Sequence, residues 1–188
     1  FYAFFAPGRK VVFPDITYSF YPVYTELFGL DYEQIPLNED FTLPIEKFLG
    51  GNGGAVICNP NAPTGLTIPV WQIEEIVKSN PDNIVVVDEA YVDFGGESCI
   101  PLIKRYDNLL VVQTFSKSRS MAGARLGMGF GCKSLIADLN TVKYSTNPYN
   151  VNSMTMAAGL GCLDDEDYTK KNCLSIEENR AYLTKALE

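Results

Sequence analysis

Four consecutive β-branched residues, Ile84-Val85-Val86-Val87, end abruptly in Asp88. Side chains alternate between the two faces of a strand, so an unbroken apolar run predicts a strand covered on both faces. A sheet with one wet face would show apolar and polar residues in alternation instead. The run therefore points to a central strand of a mainly parallel sheet, with helices above and below it, and hence to an α/β fold.

The rest of the chain supports that layout by alternating short apolar runs with longer helix-like segments. Further strands are expected at Lys10 to Phe13, Glu33 to Pro36, Ala55 to Asn59, Leu109 to Thr114 and Gly127 to Gly131. Pro69 opens a helix whose apolar positions Val70, Ile73, Ile76 and Val77 share one face, and Asn80-Pro81 stops it. Other helices are expected at Tyr18 to Phe28, at Pro44 to Leu49 before Gly50-Gly51, at Lys133 to Lys143, at Val151 to Leu163 and at Tyr168 to Leu187. The glycine-rich link Gly50 to Gly54 is expected to be a loop, and there is no internal repeat.

A chain of 188 residues with 46% hydrophobic residues is long enough to bury the core of one compact domain. Its formal charge of -8 argues against a nucleic-acid partner. No stretch approaches the roughly 20 apolar residues of a membrane span, and Phe1 to Phe5 is too short for a signal-peptide core. Five cysteines, Cys58, Cys99, Cys132, Cys162 and Cys173, form no close pairs. A disulfide framework is therefore not expected, and a cytoplasmic location fits better. The chain has no histidine, which removes Ser-His-Asp and Cys-His catalysis and histidine-ligated metals.

Open parallel sheets bind ligands beyond the carboxyl ends of their strands. Asp88 ends one strand and Lys117 follows the next, so both are expected at one crevice. A carboxylate after a β-branched run is costly to bury without a facing cation, although a turn or helix N-cap would use the same residue. Lys117 could equally be a solvated surface lysine, and Tyr91 a packing residue. Against the bland reading of Lys117 stands the small, nearly uncharged tract between it and Arg125, which lets backbone approach a planar ligand. Amine, carboxylate, phenol and guanidinium together are what a protein needs to hold pyridoxal phosphate. Thr114 and Ser116 add hydroxyls, and Arg125 can grip a phosphate bidentately.

Four motifs carry a resemblance. Asn59-Pro60-Asn61-Ala62-Pro63-Thr64-Gly65, Asp88-Glu89-Ala90-Tyr91-Val92-Asp93-Phe94, Ser116-Lys117 through Gly127, and Pro148-Tyr149-Asn150-Val151-Asn152 follow one another in the order of the histidinol-phosphate aminotransferases. The chain thus resembles fold-type I pyridoxal-phosphate transaminases along its whole length. The resemblance implies the three-layer αβα large domain of that fold, with the cofactor's aldehyde condensed on Lys117. Asp88 would then keep the ring nitrogen protonated, Tyr91 would donate to the ring oxygen, and Tyr18 would stack on the ring face. It implies transamination between histidinol phosphate and 2-oxoglutarate, with a small-molecule amino donor and a 2-oxo acid as partners and a homodimer as the assembly. A threonine-phosphate decarboxylase, an aromatic aminotransferase and a non-catalytic dimerisation module remain as alternatives.

Ala62 departs from the pattern, since the family often has there an asparagine that reaches the ring oxygen. Asn61 is the neighbouring amide and is named as a contact in its place. The chain opens on Phe1 rather than Met, so a segment of a longer enzyme is expected. In that reading residues 164–188 are the helix leading to a small domain, and an N-terminal arm and the small domain itself lie outside the chain. Weakened or absent cofactor binding and no turnover are expected of the segment alone.

Overall fold

The computed structural model describes residues 1–50 and 53–188. The expected loop Gly50 to Gly54 and the Gly50-Gly51 helix stop fall partly outside the described residues. Among the described residues six strands form one sheet: β1 (Val11–Pro14), β2 (Tyr32–Ile35), β3 (Ala55–Cys58), β4 (Val85–Asp88), β5 (Leu109–Thr114) and β6 (Gly127–Phe130). Their order is β2-β1-β3-β4-β5-β6, parallel throughout except that β6 runs antiparallel to β5. The helices are α1 (Phe20–Leu27), α2 (Val70–Ser79), α3 (Lys133–Thr146), α4 (Ser153–Asp164) and α5 (Glu166–Leu187).

Period-two alternation divides the sheet residues between two cores. Ala55 and Ile57, Val85 and Val87, and Leu109 and Val111 join Ile73, Ile76 and Val77 of α2 on one face. Val11, Phe13, Val56 and Cys58 join Tyr21 of α1 on the other, with Val86 packed against them. Both faces are covered, as the β-branched run requires, and the sheet with its helices is α/β. Asp88 follows Val86 by two residues and so shares the face occupied by Tyr21 and Cys58, its register partner on β3.

Local chemistry sets the helix boundaries. The Asn152 side chain caps α4 by accepting from Thr155 N at 2.9 Å, and Asp165 caps α5 by accepting from Tyr168 N at 3.1 Å. Asn80 closes α2 and uses its amide to hold Phe48 O at 3.1 Å and Ile76 O at 2.9 Å.

Several boundaries differ from expectation. The segment expected as a helix from Pro44 is a 3-10 turn at Ile45–Phe48, and Tyr18 precedes α1 instead of lying within it. Three more 3-10 turns, at Val92–Phe94, Ile100–Lys104 and Ala122–Ala124, have no periodic signature. All five cysteines are free. Among the described residues, no helix is long and apolar enough to cross a membrane.

Candidate active site

The antiparallel pairing of β6 with β5 builds one wall of the site. Thr114 lies opposite Gly127, so residues 115–126 leave the sheet and return to the same place. Lys117 and Arg125 are thereby brought to the wall of one cavity at the carboxyl end of β5. Gly127 eases this close return, because a Cβ there would stand 3.1 Å from Gln113 O and push it back by a few tenths of an ångström. Phe115 N donates to Leu126 O at 3.1 Å and Met121 N to Phe115 O at 2.9 Å, fixing both ends of the excursion.

A cavity of about 330 Å³ opens beyond the ends of β3, β4 and β5. It brings together Tyr18, Asp88, Tyr91, Thr114, Ser116, Lys117 and Arg125, with Ala62 and Cys58 also on its wall. Lys117 Nζ lies 5.1 Å from the centroid of the Tyr91 ring, close enough for a cation–π contact. Thr114 Oγ1 accepts from Ser116 N at 3.1 Å. Arg125 adopts a left-handed backbone, φ 55° and ψ 44°, and its guanidinium donates to Ala122 O at 2.9 Å. That conformation is unfavourable for a residue with a Cβ, so something other than backbone preference keeps an arginine here.

Asp88 is anchored by neutral donors. Tyr21 Oη donates to its Oδ2 at 2.8 Å and Ala90 N to its Oδ1 at 3.1 Å. Burial pushes its pKa up, against the downward pull of those two bonds. Among the described residues no ion pair reaches it. Cys58 beside it is pushed up to about 11, first by burial and then by the Asp88 charge. A desolvated carboxylate on the cavity wall, with no ion-pair partner among the described residues, fits a ligand that brings a cation to it.

The cavity does not take in Asn61. Its amide is engaged in the adjoining loop, donating to Ile16 O at 2.9 Å and Thr64 Oγ1 at 3.1 Å while accepting from Thr17 Oγ1 at 2.8 Å. Sequence reasoning also missed two tethers. One is Tyr21, whose aromatic position in α1 gave no hint of a carboxylate partner. The other is Ser118, buried next to Lys117, whose hydroxyl donates to Asp93 Oδ2 and so ties the lysine's loop to the turn after Tyr91.

The model of the aminotransferases of class I and II matches residues 1–188. This chain belongs to that family. It is 51% identical over 180 residues to a histidinol-phosphate aminotransferase of Lactococcus lactis subsp. cremoris (strain SK11), covering 96% of the chain and 51% of that relative. It is 45% identical over 188 residues to histidinol-phosphate aminotransferase 1 of Oceanobacillus iheyensis, covering 100% of the chain and 53% of the relative. The chain thus spans about half the length of the curated relatives it matches.

Solved structures agree on the fold. The histidinol-phosphate aminotransferase from Clostridium acetobutylicum superposes with a TM-score of 0.86 at 25% identity, covering 95% of this chain and 55% of that one. The enzyme of that name from Sinorhizobium meliloti, in complex with pyridoxal-5'-phosphate, gives 0.85 at 22% identity, covering 94% and 50%. The sheet and its helices are those of the fold-type I aminotransferases. The donor set around the cavity, with its cation-free carboxylate, suits that cofactor.

Proposed function

We propose that this chain is the cofactor-binding part of a pyridoxal-phosphate-dependent aminotransferase that converts histidinol phosphate and 2-oxoglutarate to imidazole acetol phosphate and glutamate. The observation that carries the reading is one cavity lined by Lys117, Asp88, Tyr91, Arg125, Tyr18, Thr114 and Ser116. The names of the relatives at 45–51% identity support the choice of donor. In this reading residues 1–188 are the large-domain segment, residues 164–188 lead toward a small domain, and the enzyme is a cytoplasmic homodimer.

When bound, the cofactor supplies an aldehyde for amines and a ring that draws electrons from the carbon beside the donor nitrogen. Lys117 would anchor it and, once displaced, its amine would take a proton from that carbon as general base and deliver it, as general acid, to the carbon that had been the aldehyde. Asp88 keeps a ring nitrogen protonated. Tyr91 donates to the ring oxygen, with Ala62 offering no amide beside it. Thr114, Ser116 and Arg125 would bind the phosphate, the hydroxyls by hydrogen bonds and the guanidinium with a fixed positive charge. Tyr18 covers one face of the ring and keeps water from it.

Borohydride reduction after addition of pyridoxal phosphate, followed by peptide mapping, tests the assignment. The label is expected on Lys117 and is expected to vanish in Lys117→Ala. Labelling spread evenly over the lysines and unchanged in that variant would overturn it. With amino donors offered one at a time to the longer protein, histidinol phosphate should give the fastest change in cofactor absorbance. Faster reaction with an aromatic amino acid would redirect the substrate assignment.

A further inference from the structure

Tyr21 is 3% exposed and touches two residues assigned above to the cofactor. Its hydroxyl donates to Asp88 Oδ2 at 2.8 Å, and its ring meets Tyr18 edge-on at 5.6 Å between centroids and 77° between planes. Phe13 backs it from β1 at 5.9 Å, so the ring is held from behind as well. The placement follows from chain geometry. Tyr21 N donates to Tyr18 O at 3.2 Å in the first turn of α1, which sets the two rings three residues apart and on the same side.

We propose that Tyr21 is a positioning residue of this cavity, its hydroxyl orienting the Asp88 carboxylate and its ring bracing Tyr18. The contacts stand by themselves; only their consequence for the cofactor rests on the function proposed above. A carboxylate at a strand end can rotate about its last torsion, and two donors on different oxygens fix its plane. Ala90 N supplies one of them, and Tyr21 supplies the other. The other titratable or charged groups around Asp88 are Cys58 on β3, Tyr18 ahead of α1, Tyr91 after β4, and Lys117 and Arg125 across the cavity. Burial, and then the Asp88 charge, raise the phenol far above its ordinary value. Tyr21 therefore stays protonated and acts as a constant donor, which favours the ionised form of Asp88.

Carboxyl-carbon nuclear magnetic resonance of the cofactor-free chain reads this directly, with the Asp88 signal assigned by its loss in Asp88→Asn. Tyr21→Phe keeps the ring and removes only the hydroxyl. The Asp88 titration is expected to move up by about one pH unit, with the Tyr18 ring signals unmoved. Tyr21→Leu is expected to shift both. An unchanged Asp88 titration in Tyr21→Phe would overturn the hydrogen-bonding role, and unmoved Tyr18 signals in Tyr21→Leu would overturn the brace.

Should either variant not fold, Asp88→Asn gives the reciprocal measurement. The Tyr21 hydroxyl proton resonance should then lose the downfield position that a bond to a carboxylate gives it, and an unmoved resonance would overturn the pairing. A shifted Asp88 in a protein that takes up no pyridoxal phosphate would support the Tyr21 assignment while sinking the proposed function. With cofactor bound, Tyr21→Phe should lower affinity roughly tenfold, in step with the one-unit shift.

Discussion

The interior of β3, β4 and β5 and the rim at the ends of the same strands obey opposite rules. In the interior, Ile57, Val85, Val87, Leu109 and Val111 are all 0% exposed and apolar. One residue beyond Val87, Asp88 is a desolvated carboxylate, while past β5 come the exposed Lys117 and the left-handed Arg125. Stability and chemistry are therefore assigned to successive residues of one strand. The contrast implies that interior substitutions remove stability without touching the chemistry, and that rim substitutions do the reverse.

The largest expected effect tests both halves. Ile57→Ala or Leu109→Ala should lower the unfolding free energy by about 2–5 kcal/mol in urea titration, since each leaves a cavity in a closed core. Lys117→Ala should change it by less than about 1 kcal/mol, the scale of an exposed cation–π contact, yet abolish the borohydride-fixed adduct. Equal destabilisation by Lys117→Ala and Ile57→Ala would erase the distinction.

Ser118→Ala lies between the two regions. Ser118 is buried like an interior residue, but its partner Asp93 is exposed and can be hydrated when the hydroxyl is lost. A cost of about 1–2 kcal/mol is expected, together with a less ordered Lys117 loop in amide exchange. A loss as large as that of Ile57→Ala would place the loop within the interior.

Much of this division was legible in the sequence because it rests on periodicity and order. Leu109 to Thr114 was expected as a strand and is β5, and Ile84 to Asp88 became β4 with one residue fewer. Asp88 and Lys117 were placed at one crevice from strand ends alone. What stayed hidden depends on partners distant in the chain. Tyr21 reaches Asp88 across 67 positions, and nothing in the local sequence distinguishes it from Tyr18 or Tyr24. Glu89 follows Asp88 with no role legible in the sequence; it is buried and accepts from Ser98, Cys99 and Gln113, which lie 9, 10 and 24 positions away. Asn61 is adjacent to Ala62 in sequence, and the sequence does not show that its amide bonds Ile16 O and Thr17 Oγ1, some 45 positions away. The 3-10 turn at Val92–Phe94 is too short to show a period, although it carries the Asp93 that holds Ser118.

Arg125→Gly sharpens the rim side of the comparison. Glycine relieves the left-handed backbone, and its greater freedom in the unfolded chain offsets part of that gain. The net result should be a stabilisation of about 0.5 kcal/mol, read as a small rise in melting temperature. Pyridoxal-phosphate affinity should fall by roughly tenfold to a hundredfold through the loss of charge-assisted bonds to phosphate. A destabilised glycine variant would show that the guanidinium's bond to Ala122 O contributes more than the strain removes.

The smallest expected effect is a change of slope at Asp88. Its folded pKa is raised, chiefly by burial, so across the window between the unfolded and folded values the folded state holds more proton than the unfolded one. Stability therefore falls as pH rises through that window and is level above it. Asp88→Asn cannot titrate, so its stability curve from about pH 3 to about pH 8 should lack this descent and lie above the parent's at neutral pH. The same variant should bind pyridoxal phosphate less tightly, because a neutral amide does not hold a ring nitrogen protonated. A variant less stable than the parent at neutral pH would mean that the bonds from Tyr21 and Ala90 outweigh the burial of the charge. The boundary between interior and rim would then lie beyond Asp88, at Ala90.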